Sequence, residues 1–394
     1  MNCFFKILII GLLFSNVISA QETNVTPIQN SRLQLEKPLV NQSKKLALLL
    51  PFNLAKVQGD TVNTIADRLK KDKFLNMTLD FYSGALVAID SAKQLGVTVD
   101  VSVFDSEETK NSSNVAKLIA DHHLENFSAV IGPFYQTNVE KTAELLSSNQ
   151  VAVISPLSKE MGKSYPNLFQ TITSTSLLRS AIFDFMHSKN GNIIAVVDKK
   201  KVSVKKYIVE NQKDVRLVSL TEIGALIPES LSSKLQKDRI NYVVLETENT
   251  VLIKATLKLL LSKLKECAIQ LVILEPNETL DTDEIEFANL MQLKLLYPSM
   301  TRENNSPEAV IFEKNYKLKN KVTPNAFATR GFDVTFDALM RLSQSNNYSE
   351  SASTQVTEQV ESKFDYFKNE TGGFANKGLY LLYYDADLTV KAAK

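Results

Sequence analysis

Short apolar runs alternate with amphipathic segments along most of this chain, and residues 74–133 give the clearest example. In that stretch, apolar side chains recur at three- and four-residue steps on one face of a predicted helix: Phe81, Ala85, Ala88, Ile89 and Ala92. Gly96 is placed to end this helix. The runs at 99–104 and 129–131 have the length and composition of buried parallel strands. The stretch therefore predicts the first half of an α/β lobe.

The same alternation continues towards the carboxyl terminus. Apolar runs of strand length occur at 46–50, 151–154, 193–197, 215–218, 242–245, 269–274, 293–297 and 378–384. Helical periodicity occurs at 138–148, 177–186, 202–211, 231–236, 251–264, 309–318 and 333–342. Residues 53–73 and 344–357 are polar and are predicted as loops. Strands and helices that alternate with short connections predict parallel sheets with right-handed crossovers, and two such sets predict two lobes.

The amino terminus has the features of a secretory signal peptide. Lys6 precedes an apolar run at 7–14, and small residues at 18–20 offer a cleavage site before Gln21. The run is shorter than the ~20 residues that a membrane span needs. We therefore expect residues 1–20 to be removed, residues 21–44 to form a flexible linker, and the mature chain to be periplasmic or otherwise extracytoplasmic, with no membrane span.

Charge and cysteine content narrow the class of protein. Of 394 residues, 45 are basic and 44 acidic, and loss of Lys6 makes the two equal. Such a balance argues against nucleic acid as a partner, because nucleic-acid binding relies on clustered Lys and Arg. Cys267 would be the one cysteine of the mature chain, so no internal disulfide is expected, and we interpret it as a buried structural thiol.

The residues of common enzyme sites are missing at the required spacings. The three histidines, His122, His123 and His187, lack the spacing of metal ligands. Neither a Gly-x-Ser-x-Gly elbow nor a phosphate-binding glycine loop occurs. Asp105 follows a predicted strand and is interpreted as a loop-capping carboxylate. We therefore predict that the protein is not an enzyme and has no cofactor and no metal.

Several short motifs occur in an order that resembles a known family. In the amino-terminal half these are Gly84-Ala85, Ala88-Ile89-Asp90, Gly96, Asp105, Ile131-Gly132-Pro133 and Val153-Ile154-Ser155-Pro156. In the carboxyl-terminal half they are Arg330-Gly331-Phe332-Asp333 and Gly372-Gly373-Phe374-Ala375-Asn376. Together they resemble the type I periplasmic binding proteins, which include the leucine/isoleucine/valine receptors of ABC importers, and a subgroup found with LysM proteins.

The resemblance implies two Rossmann-like lobes with parallel sheets, joined by a hinge of three crossovers. Lobe 1 is expected to contain residues 45–171 and 276–346, and lobe 2 residues 172–275 and 347–394. The hinge is expected near Thr171, near Pro276 and near Asn346. The ligand would lie in the cleft at the carboxyl ends of the strands, and the lobes would close on it.

The resemblance also implies candidate ligand-binding positions in both lobes. In lobe 1 they are Tyr135, Gln136, Thr137, Ser155, Leu157 and Ser158, and in lobe 2 Asp198, Lys200, Glu246 and Thr247. The serine that holds the ligand carboxylate in amino-acid receptors is missing here, although Thr137 could replace it. The aromatic residue of lobe 2 is replaced by Val202. The lysines at 199–201 could hold an anionic ligand or form a solvated helix start.

Two functions stay open at this point. The first is a receptor that binds a small polar ligand, an amino acid or a peptide-like molecule, and delivers it to a membrane permease. The second is a scaffold or regulator of peptidoglycan synthesis that binds a cell-wall enzyme and transports nothing. The missing ligand contacts favour the second function, and the absence of a LysM repeat argues against it.

Overall fold

A computed structural model describes residues 44–60, 62–160, 162–345, 347–370 and 372–393. The predicted signal peptide and residues 21–43 of the predicted linker lie outside the described residues. Lys44, the last residue of that predicted linker, is already the first residue of a strand.

The described residues form two seven-stranded sheets and one small hairpin. The strands are β1 Lys44–Leu50, β2 Val99–Asp105, β3 Ala129–Ile131, β4 Ala152–Ser155, β5 Leu168–Gln170, β6 Asn192–Val197, β7 Arg216–Leu217, β8 Asn241–Glu246, β9 Ile269–Val272, β10 Leu296–Ser299, β11 Thr357–Glu358, β12 Lys363–Phe364, β13 Tyr366–Lys368, β14 Phe374–Asn376, β15 Tyr380–Tyr384 and β16 Val390–Ala392. The first sheet has the order β13-β14-β5-β4-β3-β1-β2 and the second β16-β15-β10-β9-β8-β6-β7, while β11 pairs with β12. Within the two seven-stranded sheets, strand pairs are parallel except β13–β14, β10–β15 and β15–β16, and the β11–β12 hairpin is antiparallel.

Helices cover both faces of each sheet. They are α1 Leu54–Gln58, α2 Ile65–Lys71, α3 Lys73–Gln94, α4 Val115–His122, α5 Gln136–Leu146, α6 Thr175–Ser188, α7 Val202–Asn211, α8 Pro228–Ser232, α9 Thr250–Lys263, α10 Phe287–Gln292, α11 Pro307–Asn320, α12 Ala326–Gln344 and α13 Tyr348–Thr354. Short 3-10 helices occupy Leu124–Asn126, Ser147–Asn149 and Glu278–Asp281.

Each sheet is buried on both sides, as parallel sheets require. Alternate residues of β1 point to opposite faces: Leu46 and Leu48 pack with α3 and α12, and Ala47 and Leu49 with α4 and α5. The strands of the second sheet divide in the same way between two further cores. The α/β fold class and the two-lobed organisation predicted from the sequence are therefore confirmed.

The contact between α3 and α12 depends on two glycines. A Cβ atom added to Gly84 would lie 1.8 Å from the carbonyl oxygen of Ala328, and one added to Gly331 would lie 2.0 Å from that of Phe81. The two helix backbones thus meet at a distance that only glycine permits. The resulting pair covers one face of the first sheet.

The sheets correct two of the three predicted hinge positions. We call the part built on the first sheet lobe 1 and the part built on the second sheet lobe 2. The chain passes between them at 171–174, at 300–306 and at 377–379, because β10 lies in the second sheet and β13 and β14 lie in the first. The crossing near Thr171 agrees with the prediction, whereas those expected near Pro276 and Asn346 do not.

Both predicted polar loops contain helices. Residues 53–73 include α1 and α2, and α2 begins with a capping box in which Thr64 and Asp67 bond to each other's backbone N–H. Residues 344–357 include α13. Helices α1 and α2 bury no side chain, so their sequences carry little of the apolar periodicity by which helices are predicted.

Several boundaries differ from prediction; the helix expected at 333–342, for example, is α12, which begins at Ala326. The helix expected at 231–236 is α8, which starts earlier because Pro228 occupies its first position. The strand expected to be the last, β15, is followed by the exposed edge strand β16.

Candidate functional site

In lobe 1, three of the predicted positions surround the start of α5. Tyr135 precedes the helix, and its ring stacks on Phe74 with centroids 5.0 Å apart. Gln136 is buried and bonds Glu140 and Gln170. Thr137 is exposed, and its hydroxyl donates to the carbonyl oxygen of Lys110 at 2.6 Å. These side chains are thus already bonded within lobe 1.

A residue that sequence reasoning missed, Glu108, lies at the centre of this group. Its carboxylate is 1% exposed and accepts hydrogen bonds from the backbone N–H groups of Phe134 (2.8 Å) and Tyr135 (3.0 Å). The amide of Asn138 donates a third bond at 2.9 Å and the hydroxyl of Ser106 a fourth at 3.2 Å. Burial raises the pKa of Glu108, and these hydrogen bonds oppose that effect.

The remaining lobe 1 positions follow β4. Ser155 is fully buried, and its hydroxyl has no hydrogen-bond partner among the described residues. Leu157 packs against the core of lobe 1. Ser158 is half-buried and accepts a bond from the backbone N–H of Glu160. A buried hydroxyl without a partner is uncommon, so Ser155 has a free polar atom to offer at this edge.

In lobe 2, three predicted positions are brought together at the carboxyl ends of β6 and β8. The Thr247 hydroxyl donates to the carboxylate of Asp198 at 2.7 Å, and the Asp198 N–H donates to the carbonyl oxygen of Glu246 at 2.9 Å. The fourth, Lys200, is exposed, and its backbone N–H donates to Asp198. In the adjacent lysine run, Lys201 forms an ion pair with Glu248 and Lys199 bonds a backbone carbonyl.

Glu246 is held in an apolar setting. Its carboxylate is 5% exposed and accepts a bond from the backbone N–H of Leu274 at 2.7 Å. Burial raises the pKa of Glu246 to about 7; the nearby Glu275 carboxylate adds to this rise, and Lys201 and Arg179 oppose it. This glutamate therefore titrates near neutral pH.

A cavity of about 500 Å³ opens beside these residues. Its wall is formed by the first two crossings, the ends of β9 and β10, the start of α6, and Lys159 of lobe 1. The polar and aromatic residues that line it include Ser174, Thr175, Glu275, Asn277, Tyr297, Ser299 and Tyr384, with an apolar floor of Ile273, Leu274, Leu280 and Leu295.

None of the ten predicted site residues lines this cavity. Two of them support its wall, since Glu246 bonds Leu274 and the carbonyl oxygen of Thr247 accepts from the Asn277 amide at 2.7 Å. Tyr297 and Tyr384 pack edge to face at 5.8 Å, and burial raises the pKa of Tyr297 to about 12. The tyrosines are therefore uncharged hydrogen-bonding groups near neutral pH.

Two polar side chains of α12, the half-buried Arg330 and the buried Asp333, hold the chain beside the crossings. Arg330 of α12 donates to the carbonyl oxygen of Pro156 at 3.0 Å, to the hydroxyl of Ser362 at 3.1 Å and to that of Thr171. Asp333 accepts from three consecutive backbone N–H groups, those of residues 360–362. The Arg-Gly-Phe-Asp motif thus lies in α12 and anchors the chain next to the crossings.

Two sequence interpretations are confirmed by these contacts. The Asp105 carboxylate accepts from the backbone N–H groups of Asn53 and Leu54, which makes it a loop-capping group. Cys267 is buried and unpaired.

Neither a metal-binding cluster nor a membrane-spanning helix occurs within the described ranges. No cluster of three or more His, Cys, Asp or Glu side chains there is arranged to bind a metal ion. No helix there has the length and hydrophobicity needed to cross a bilayer.

Two α/β lobes with helices on both faces, joined by three crossings, are the architecture of the type I periplasmic binding proteins, and the resemblance predicted from the sequence is confirmed. Residues 86–266 match the model of a family described as "Receptor family ligand binding region". Among curated protein sequences, none matches this chain.

Two solved structures share this fold over most of the chain. One, from Rhodospirillum rubrum, is assigned to a branched-chain amino acid ABC transporter; it is 14% identical, with 89% of this chain and 100% of that chain covered and a TM-score of 0.58. The other is the LpoA (YraM) C-domain from Haemophilus influenzae, a regulator of PBP1A; identity and coverage are the same and the TM-score is 0.50. At this identity the likeness concerns the fold.

Proposed function

We propose that this chain is an exported, non-enzymatic binding protein that closes its two lobes on a small polar molecule, an amino acid or a peptide-like compound, and presents it to a membrane permease. The observation that carries the proposal is the cavity of about 500 Å³ beside the crossings. Its volume falls in the range of about 300–1,000 Å³ that is usual for small-molecule sites. A cavity walled by the crossings and by residues of both lobes would change shape when the lobes close.

The lining of the cavity supports a polar ligand with an apolar part. Hydroxyl and amide groups of Ser174, Asn277 and Ser299 can donate and accept hydrogen bonds, and Tyr297 and Tyr384 add aromatic faces. Glu275 forms an ion pair with Arg179, so its charge is partly neutralised. A zwitterionic or neutral polar ligand suits this lining better than a multiply charged one.

The experiment is a thermal-shift screen of the chain from Gln21 onwards, with amino acids, small peptides and muropeptides. A ligand at a concentration far above its Kd should raise the melting temperature by mass action. Leu178 lines the cavity, and Leu178→Trp places a bulky indole ring there. The variant should therefore show no ligand-induced rise in melting temperature. Val209→Trp, at an exposed position on α7, is the matched control and should keep it.

The second candidate function, a regulator of cell-wall synthesis, is favoured by a different observation. The buried Glu108 carboxylate fills the start of α5, where amino-acid receptors hold their ligand. The fold likeness to the LpoA C-domain is compatible with such a role. If no compound shifts the melting temperature, and the purified chain binds a purified peptidoglycan synthase, the receptor proposal is wrong and the regulator is supported.

A further inference from the structure

Glu108 is an unusual buried carboxylate because neutral groups hold it. Among the described residues, its hydrogen-bond donors are two backbone N–H groups, one amide and one hydroxyl. No cation of the described residues is among the causes that shift its pKa. A carboxylate in such a place is stabilised by hydrogen bonds and by the partial positive charge at a helix start.

The position of this carboxylate in the fold is equally informative. Glu108 and its donor Ser106 lie in the loop after β2, whereas Phe134 and Tyr135 lie between β3 and α5, and Asn138 lies in the first turn of α5. In the first sheet β1 lies between β2 and β3, so the loop reaches across one strand to deliver the carboxylate.

Further hydrogen bonds hold this loop in position. The Asn138 amide also donates to the carbonyl oxygen of Thr109 at 3.0 Å, and the Thr137 hydroxyl donates to that of Lys110 at 2.6 Å. The Asn53 amide donates to the carbonyl oxygen of Glu108 itself at 3.3 Å. Bonds from two separate segments therefore hold residues 108–110 over the start of α5.

Free N–H groups at the carboxyl edge of a parallel sheet ordinarily bind the anionic group of a ligand. We propose that Glu108 is an internal carboxylate ligand that occupies this position and determines specificity, so that lobe 1 does not bind the free carboxylate of a solute. The effect on specificity rests on the proposed binding function, whereas the occupation of this position by Glu108 does not. Ligand recognition is then left to the cavity beside the crossings.

The test is chemical rescue. Glu108→Ala removes the carboxylate and leaves the donors, so its melting temperature should fall by roughly 5–10 °C. Sodium acetate or formate should then raise the melting temperature of Glu108→Ala, with saturation, by more than sodium chloride of equal ionic strength does. Glu144→Ala, at an exposed position near the other end of α5, should respond alike to the three salts. An equal response of Glu108→Ala to acetate and chloride would overturn the proposal.

A second variant separates occupancy from packing. Glu108→Gln keeps the volume and fills the site with a neutral amide, so it should be destabilised but gain nothing specific from acetate. A specific acetate effect in Glu108→Gln would contradict the proposal. If Glu108→Ala does not fold in chloride, its refolding yield from urea is compared in acetate and in chloride, and equal yields would overturn the proposal.

The proposed effect on specificity is tested separately, by comparing leucine with leucinamide. The excess of the melting temperature in leucine over that in leucinamide should be larger for Glu108→Ala than for the wild type, because only the variant offers a second place for the carboxylate. The same excess in both proteins would refute the effect on specificity. The acetate experiment requires no ligand in the cavity. A negative acetate result would contradict the role of Glu108, whereas a negative result with Leu178→Trp would contradict the proposed binding function.

Discussion

At the scale of single residues, the molecule holds several carboxyl groups in apolar surroundings. Glu246 and Asp333 accept backbone N–H groups, and burial raises their pKa values to about 7 and about 6 respectively. Glu361 is shifted to about 7 by burial and by the charge of Asp333. All three bind protons more readily in the folded state than in the unfolded state.

Glu246 should make stability depend on pH. Its unfolded pKa is about 4.3, so between about pH 4.5 and pH 7 the folded state binds more protons and the free energy of unfolding falls as the pH rises. Glu246→Gln removes this contribution. Across this pH window, the free energy of unfolding of the variant should therefore fall less than that of the wild type, and the difference between the two falls should be on the order of 2–3 kcal/mol. Urea denaturation at pH 5 and at pH 7.5 measures the difference.

The control for this experiment is Glu229→Gln, at an exposed position on α8 of the same lobe. Its pH profile should match that of the wild type. Parallel profiles for Glu246→Gln and the wild type would show that Glu246 has no raised pKa.

The role of a residue could be predicted from the sequence only where that role follows from the neighbouring elements of the chain. The capping role of Asp105 follows from its place after a strand, and the burial of Cys267 follows from its place between an apolar helix and a strand. The role of Glu108 does not, because its donors Phe134, Tyr135 and Asn138 are 26 to 30 residues away. Only the order of strands in the sheet brings them together.

At the scale of elements, the α3–α12 contact sets a sharp steric limit. In Gly84→Ala the new Cβ would lie 1.8 Å from a backbone oxygen, so one helix must move away from the other. We expect a loss of more than about 3 kcal/mol in the free energy of unfolding, since backbone atoms cannot give way as a side chain does. Chemical denaturation of the purified variant measures this loss.

Gly224→Ala is the matched substitution. Gly224 has a φ of +82° but no atom within 4 Å of its added Cβ, so only backbone strain of about 1 kcal/mol is expected. If both variants lose the same free energy, the close approach of α3 and α12 is not what makes Gly84 necessary.

Elements with a clear apolar pattern can be predicted from the sequence, and elements without one cannot. The strand at 129–131 and the helix at 202–211 have the predicted bounds, because buried strands and amphipathic helices carry such a pattern. Helices α1, α2 and α13 lie in stretches that the sequence predicts to be loops. They have five to seven residues, and caps rather than apolar periodicity define α2 and α13.

At the scale of the whole molecule, the first and third crossings form one bonded unit. The buried Asn376 side chain donates to the carbonyl oxygens of Thr171 (3.0 Å) and Lys363 (2.9 Å), and accepts from the N–H groups of Asp365 and Gly378 (2.8 Å each). It therefore joins the first and third crossings directly.

Asn376→Ala should break this unit. Four backbone groups would lose their partner, which we expect to cost about 2–4 kcal/mol and to lower the melting temperature by several degrees. Hydrogen exchange should show faster exchange at the amides of Asp365 and Gly378. Asn111→Ala, at an exposed loop position, is the control, and unchanged exchange at both amides would contradict the assigned role.

The lobe boundaries illustrate what the sequence cannot supply at this scale. The resemblance implies three crossings, and there are three, but the polar stretches near Pro276 and Asn346 that suggest hinges each lie within one lobe. The second and third crossings follow from which sheet each strand joins, and strand pairing between distant segments decides that. The cavity was missed for the same reason, since its wall combines residues from segments far apart in the chain.

Because the chain passes between the lobes three times, neither lobe is a continuous segment. A fragment that ends after β10 would contain five strands of the second sheet but not β15 and β16, and it would leave the edge of β10 bare. An exposed strand edge invites pairing with another chain. Dissection of this protein into separately folded halves therefore requires splicing of distant gene segments, and a short deletion at the carboxyl terminus would damage the lobe whose other strands lie about a hundred residues upstream.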